Sequence, residues 1–252
     1  MSVSNEVMLE GAVEDSYSFL KRLNQDGYDL TPMVYLYEKD NYHPFLVMGL
    51  PPQSDKQTEK IMSHMMLLPF INLLPTEAVV VVQDTWFVKA DDDENLDVEK
   101  VGRPSQRIDK RSGLTSIQMR KDFSGIFSMK EYGMDDSGNL FTKETTNSVV
   151  SSFIDGDEVK DSWLVDILVQ GFENREKLTG LLTSEKDSDQ TDDDIYLMTL
   201  MQGMTTCSKM GYNFAVRDDF GEFIKTNFSN ANDELKEFFD DFQEHMNDEE
   251  SE

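Results

Sequence analysis

The densest run of β-branched and aromatic residues lies between residues 76 and 90. Four consecutive valines, Val79–Val82, are followed closely by Trp86 and Phe87, and Pro75 stands just before the run. Such a run between turn-forming residues predicts a central strand that is buried on both faces. A buried helical turn is the alternative, which the β-branched residues disfavour.

Around this strand the spacing of apolar residues predicts a mixed order of helices and strands. Apolar positions at four- and three-residue steps predict a helix over residues 6–25. Ser54 and Gln57 form a capping-box pattern, so a second helix is expected to begin there and to end or kink at Pro69. Strand formers alternate with turn residues, which predicts hairpins. In the strand predicted at residues 114–120, even positions should face one side of the sheet and odd positions the other. The predicted strands cover residues 31–37, 43–50, 114–120, 125–132 and 140–145.

Beyond about residue 148 the strand signals nearly vanish and helical spacing takes over. Helices are predicted at residues 157–183, 193–208, 220–228 and 235–246. The predicted fold class is therefore α+β. A mixed helix and antiparallel-sheet domain is expected at residues 1–147, an all-helical acidic domain at 148–247 and a disordered tail at 248–252.

The chain has an extreme charge balance, with 50 acidic and 23 basic side chains and a net charge of −27. This disfavours a general nucleic-acid binder, which presents a basic face to phosphate, and it disfavours contact with an anionic membrane surface. It agrees with solubility, a basic protein partner or cation binding. Residues 1–147 hold 15 basic and 24 acidic side chains and residues 148–252 hold 8 and 26, so the charge also changes at the predicted boundary.

One segment departs from the acidic background. Residues 100–121 contain seven Lys or Arg side chains and a single acid. An ordinary solvated hairpin loop is one interpretation, and a docking surface for an acidic segment is the other. In the second interpretation, carboxylates of the C-terminal part or of a second copy contact four basic side chains: Arg103, Arg107, Lys110 and Arg111.

The last predicted helix combines acids with an apolar stripe. Residues 231–252 hold ten acidic side chains and one lysine. The stripe consists of Leu235, Phe238, Phe239 and Phe242. It either packs on the rest of the helical domain or forms a partner-binding amphipathic helix.

Known catalytic and metal-binding patterns are missing or incomplete. Three histidines are present, no Gly-x-Ser-x-Gly elbow or phosphate-binding glycine loop occurs, and no Cys or His cluster suits zinc. Cys207 is the single cysteine, so no intrachain disulfide can form, and its apolar helix predicts a buried, inert thiol. Asp187–Asp192 resembles the start of a calcium loop but lacks its sixth-position glycine, and Met198 replaces the twelfth-position glutamate. A linker and a helix N-cap are expected there instead.

Three strings within the first 145 residues resemble a known family. Val81–Phe87 contains an acid-x-Trp pattern at the end of a strand, Arg103–Arg107 contains Arg-Pro-Ser, and a new strand follows Arg111. With the order of helix, strand pair, helix, long strand and hairpins, they resemble a small α+β domain found in uncharacterised bacterial and phage proteins. The resemblance covers a little over half of the chain and implies a compact α+β fold and a phage or bacterial source. It implies no activity, cofactor or catalytic residue.

These observations predict a non-enzymatic binding or regulatory protein that acts through contacts with a protein partner bearing a basic surface. Imitation of nucleic-acid charge is one form of this hypothesis. Self-association into a structural or assembly homo-oligomer is the first alternative. A metal-dependent hydrolase, which would use carboxylates such as Asp155 and Glu158, is the second. No cofactor, metal, direct nucleic-acid contact or membrane contact is expected, and the absence of a leader or apolar span favours the cytoplasm.

Overall fold

The valine run forms the middle strand of a seven-stranded sheet in the computed structural model, which describes residues 5–26, 30–50, 67–87, 110–154, 163–184, 187 and 189–248. The strands are β1 (Met33–Tyr37), β2 (Leu46–Gly49), β3 (Ala78–Phe87), β4 (Arg111–Arg120), β5 (Gly125–Met134), β6 (Leu140–Val150) and β7 (Asn213–Val216). The helices are α1 (Asn5–Asp26), α2, of which residues 67–73 are described, α3 (Trp163–Glu173), α4 (Arg175–Thr183), α5 (Asp192–Lys209), α6 (Phe220–Asn227) and α7 (Asp233–Asp248).

The sheet is antiparallel throughout, in the order β6-β5-β4-β3-β1-β2-β7. The α+β class and its antiparallel sheet are thereby confirmed. The all-helical description of residues 148–247 is wrong, because β7 lies within them and pairs with β2, placing Phe214 opposite Met48. A strand of four residues is too short to give a clear period-two signal. It forms because the edge of β2 offers hydrogen-bonding groups to it.

Alternation along β3 divides the buried residues between two faces of the sheet. Val80 and Val82 face α1, and this side is called the α1 face. Val79 and Val81 face the opposite side, called the C-terminal face, where α2 and the helices beyond residue 148 cover the sheet. The prediction of a strand buried on both faces is confirmed for residues 78–82. It is wrong for the end of β3, where Trp86 is 52% exposed because a cleft opens there.

Polar contacts fix α1 on its face of the sheet. The buried hydroxyl groups of Ser16 and Tyr35 lie 2.7 Å apart, and the Tyr35 hydroxyl donates to Oδ2 of Asp15 at 3.0 Å. The Tyr37 hydroxyl donates to the carbonyl of Met8 at 3.2 Å. Burial raises the pKa of both tyrosines, so they remain neutral donors. These bonds link the first helix to β1 at defined positions.

The hydrophobic core of the C-terminal face crosses the boundary predicted near residue 148. Of its 33 described buried residues, 18 follow residue 148, and they pack against Val79, Val81 and Ile117 of the sheet. The division of the chain into separate domains stays a prediction. Separating two domains at this boundary would expose the apolar residues of this shared core.

Most predicted elements agree with the structure to within a few residues. The helix predicted at 157–183 is two helices, α3 and α4, with Asn174 between them. The turn before β6 has the predicted chemistry, since Asp135 accepts from the backbone N–H groups of Ser137 and Asn139 and Gly138 has a φ of 84°. The start of the second predicted helix and residues 249–252 lie outside the described residues. No helix within the described ranges is long and apolar enough to cross a membrane.

Candidate functional site

A cleft opens on the α1 face, where the end of α1 meets the ends of β3, β4 and β5. Its volume is about 360 Å³. Its lining includes Leu20 and Asn24 of α1, Asp84 and Trp86 of β3, Ser112 of β4 and Tyr132 of β5. The cleft thus combines an apolar wall, a carboxylate and an aromatic ring.

Strand register assembles the floor of the cleft from distant parts of the chain. Trp86 stands opposite Ser112, which in turn stands opposite Tyr132. Asp84 lies two residues before Trp86 and therefore on the same face. The Tyr132 hydroxyl donates to Oδ1 of Asp84 at 2.7 Å, which holds the carboxylate in place.

Trp86 already holds a cation on its ring. The ammonium group of Lys110, which precedes β4, lies 4.3 Å from the centroid of the Trp86 ring. A cation over an indole face is attracted by the quadrupole of the ring. Lys110, one of the predicted docking residues, therefore lies against Trp86, a residue that lines the cleft. The structure shows that this ring can accommodate an ammonium group.

Arg111, the next predicted docking residue, lies on the opposite side of the sheet. Its Nη1 is 3.3 Å from Oε2 of Glu131, and Nζ of Lys143 is 3.2 Å from Oε1 of the same carboxylate. Burial raises the pKa of Glu131, but the hydrogen bonds from Lys143 and Arg111 outweigh it and hold the pKa below its ordinary value. The observed carboxylate partner of Arg111 thus belongs to β5. Arg103 and Arg107 lie outside the described residues, so their predicted contacts stay a hypothesis.

The apolar stripe of α7 divides between two environments. Phe239 is 1% exposed and lies 6.0 Å from the ring of Phe220, while Leu235 is partly buried against the same core. Phe238 is 59% exposed. Four-residue spacing puts Leu235 and Phe239 on the same side of the helix, which faces the core. Phe238 lies off that side and is exposed. The side chain of Phe242 lies outside the described residues.

Two predictions about the helical part are confirmed at the level of single residues. Thr191 caps α5 in a reciprocal capping box with Asp194, as the N-cap prediction for this segment required. Cys207 is fully buried, and burial raises the pKa of its thiol to about 12. A thiol with so high a pKa stays protonated and is a poor nucleophile at neutral pH.

Sequence patterns pointed to only part of the cleft. The acid-x-Trp pattern marked Asp84 and Trp86, but Ser112 and Tyr132 carry no motif, because their positions follow from strand register. Among the residues that the structure describes, no group of three His, Cys, Asp or Glu side chains could hold a metal ion. The expectation of a metal-free protein stays a prediction.

A scan against protein-family models and a search of curated proteins found no match for this chain. The resemblance of the first 145 residues to a bacterial and phage α+β domain accordingly stays a prediction. The function of the cleft has to be inferred from its residues.

Proposed function

We propose that this chain is a non-enzymatic binding protein that takes a cationic side chain of a basic partner protein into the cleft. The observation that supports the proposal is the placement of the Asp84 carboxylate and the exposed Trp86 ring in one cavity. A carboxylate and an indole face both favour a positive group, the first by charge and the second by its quadrupole. The Tyr132 hydroxyl orients the carboxylate.

The dimensions of the cleft suit one side chain with its neighbouring backbone. Its volume of about 360 Å³ falls at the lower end of the roughly 300–1,000 Å³ typical of small-ligand sites. A lysine or arginine stem can pack along Leu20 while its charged end lies between Asp84 and Trp86. In this proposal Lys110 occupies the Trp86 ring in place of the partner's cation. The incoming cation either binds beside Lys110 or displaces it.

The charge of the whole chain supports a basic partner. A net charge of −27 attracts a positively charged surface over several ångströms and raises the rate of encounter. The cleft adds the local selectivity that diffuse attraction lacks. Imitation of nucleic-acid charge is a narrower form of the proposal, in which added DNA would compete with this chain for the partner.

A basic peptide tests the proposal directly. An oligo-arginine peptide is titrated into the full-length chain by calorimetry, and D84N and W86A are compared with D233N. Asp233 has a side chain that is 95% exposed on α7, so D233N changes the net charge equally but leaves the cleft intact. Loss of one contact to a charged group should weaken binding about tenfold in D84N, and W86A should behave similarly.

The D233N control distinguishes binding of the peptide in the cleft from attraction of the peptide by the net charge alone. D233N should bind the peptide nearly as well as the unchanged chain. Equal weakening by D84N and D233N, with no effect of W86A, would mean that only net charge attracts the peptide. The cleft proposal would then be wrong.

A further inference from the structure

Strand β6 forms a long, open edge of the sheet. It spans 11 residues, and every residue from Phe141 to Val149 is exposed. Within the described ranges no strand pairs with its outer side. An exposed edge offers unpaired N–H and C=O groups to another strand, and its threonines and valines favour extended backbone. β6 is therefore equipped to accept a further strand.

A β-bulge protects only the first half of this edge. Thr142 stands opposite Tyr132 and Thr145 opposite Lys130, so Lys143 and Glu144 together face the single residue Glu131. Bulges and edge lysines are common devices against unwanted strand pairing. The second half, residues 145–150, pairs regularly with β5 and contains neither device.

We propose that residues 145–149 of β6 pair antiparallel with the same residues of a second copy of this chain and so continue the sheet across a two-fold axis. Hydrogen-bonded and non-hydrogen-bonded pairs alternate along antiparallel strands, so a two-fold axis must place one residue opposite itself. With Asn147 on the axis, Thr146 faces Ser148 and Thr145 faces Val149. Each pair also lies on one face of the sheet, as the pairing with β5 requires.

The composition of the segment favours a second copy as the occupant. Residues 145–154 contain no charged side chain, although each copy carries a net charge of −27. The register opposes no like charges, which would disfavour pairing. It also covers Val149, which is 79% exposed in the single chain. Two Asn147 side chains can hydrogen-bond to each other across the axis.

Charge variants at the two mutually facing positions test this register. Sedimentation equilibrium of the full-length chain compares T146E/S148E with T146E/S148K. The first variant opposes two pairs of like charges and should raise the dimer Kd at least about tenfold. The second opposes Glu with Lys twice and should dimerise as well as the unchanged chain or better. Both positions are exposed, so neither variant should disturb the fold of the single chain.

A third variant, with one added charge, examines the protected half of the edge. T142E places one added charge at an exposed position before the bulge and should leave the dimer Kd unchanged. An equal response to T142E and T146E/S148E would assign the association to the whole strand or to diffuse charge, and would overturn the register.

Salt gives an independent measurement with a definite sign. Raising salt from about 0.01 M to about 0.15 M shortens the screening length from about 30 Å to about 8 Å. Because both copies are acidic, the Kd of a dimer joined by uncharged strands should fall as salt rises. A chain that stays monomeric at every salt concentration, or a dimer that weakens with salt, overturns the proposal. Residues 145–149 do not line the cleft, so peptide binding there does not depend on the proposed strand pairing, and the two proposals fail separately.

Discussion

The two faces of the sheet are built from different parts of the chain. The α1 face is covered by one helix that comes just before β1 in sequence, and tyrosine hydroxyl groups attach this helix at defined points. The C-terminal face is covered by helices whose core residues come mainly from beyond residue 148. The first face depends on local sequence and specific hydrogen bonds, and the second depends on distant segments and apolar burial. Truncations and substitutions that affect the two faces should therefore act by different mechanisms and should lower the stability of the fold by different amounts.

Removal of the covering helices should have the largest effect. A chain that ends at residue 148 keeps β1–β5 and most of β6, but it loses β7 and the apolar residues beyond residue 148 that pack against Val79, Val81 and Ile117. We expect it to aggregate or to lose cooperative unfolding, because more than half of the described core residues on that face are gone. Urea unfolding followed by circular dichroism measures this. A soluble fragment with a sharp transition would instead confirm the domain boundary predicted from composition.

A pair of substitutions on one helix gives the next largest contrast. Phe239→Ala empties a buried site against Phe220 and should lower the free energy of unfolding by about 3–5 kcal/mol. Phe238→Ala removes a side chain that is 59% exposed and should change it by no more than about 0.5 kcal/mol. Chemical denaturation of both variants measures the difference. Similar losses would mean that Phe238 is also covered in solution, for example by a partner copy.

Removal of one hydroxyl group on the α1 face should lower the free energy of unfolding by less than Phe239→Ala does. Tyr35→Phe removes the bonds to Ser16 and Asp15 and should cost about 1–3 kcal/mol, because a polar group of Ser16 is left buried. Adding Ser16→Ala to this variant should cost little more, since both hydroxyl groups are then absent. A double-mutant cycle by urea denaturation determines the coupling. Additive losses would show that the two hydroxyl groups do not act as a pair.

The smallest effect is a pH dependence at a polar site of the C-terminal part. Burial raises the pKa of Asp194, but hydrogen bonds from Asn232 and Thr191 and the charge of Lys236 outweigh it and hold the pKa below its ordinary value. A lowered folded-state pKa means that the carboxylate stabilises the fold above the ordinary value, and that this stabilisation is lost as pH falls through the folded-state pKa. Asp194→Asn should therefore be less stable than the unchanged chain at neutral pH. The difference should shrink below about pH 4.

Urea midpoints at several pH values measure this difference. Asp187→Asn, which changes an exposed carboxylate in the preceding segment, serves as the control and should show a smaller change with pH. A stability difference for Asp194→Asn that stays constant from neutral to acid pH would contradict the assigned role of the carboxylate.

The sequence determines local elements far better than the pairings between them. The alternation predicted for residues 114–120 is confirmed, because Leu114 faces α1 while Ile117 and Met119 face the C-terminal side. Local spacing carries this information directly. β7, which pairs with the outer edge of β2, lies more than 160 positions further along the chain. The contact between Asp84 and Tyr132 depends on the register of three strands. No local pattern encodes either feature, so both the seventh strand and the complete cleft appear only in the structure.

The pairing of β2 with β7 also has a consequence for synthesis of the chain. Between Gly49 and Asn213 lie 163 residues, all of which must be translated before the sheet can be completed. At about 5–20 residues per second a ribosome needs roughly 8–33 s for that length. During this interval β2 lacks its β7 partner, and the cover of the apolar C-terminal face is incomplete. The nascent chain is therefore a natural client for chaperones, and slower translation should lengthen its period of vulnerability to aggregation.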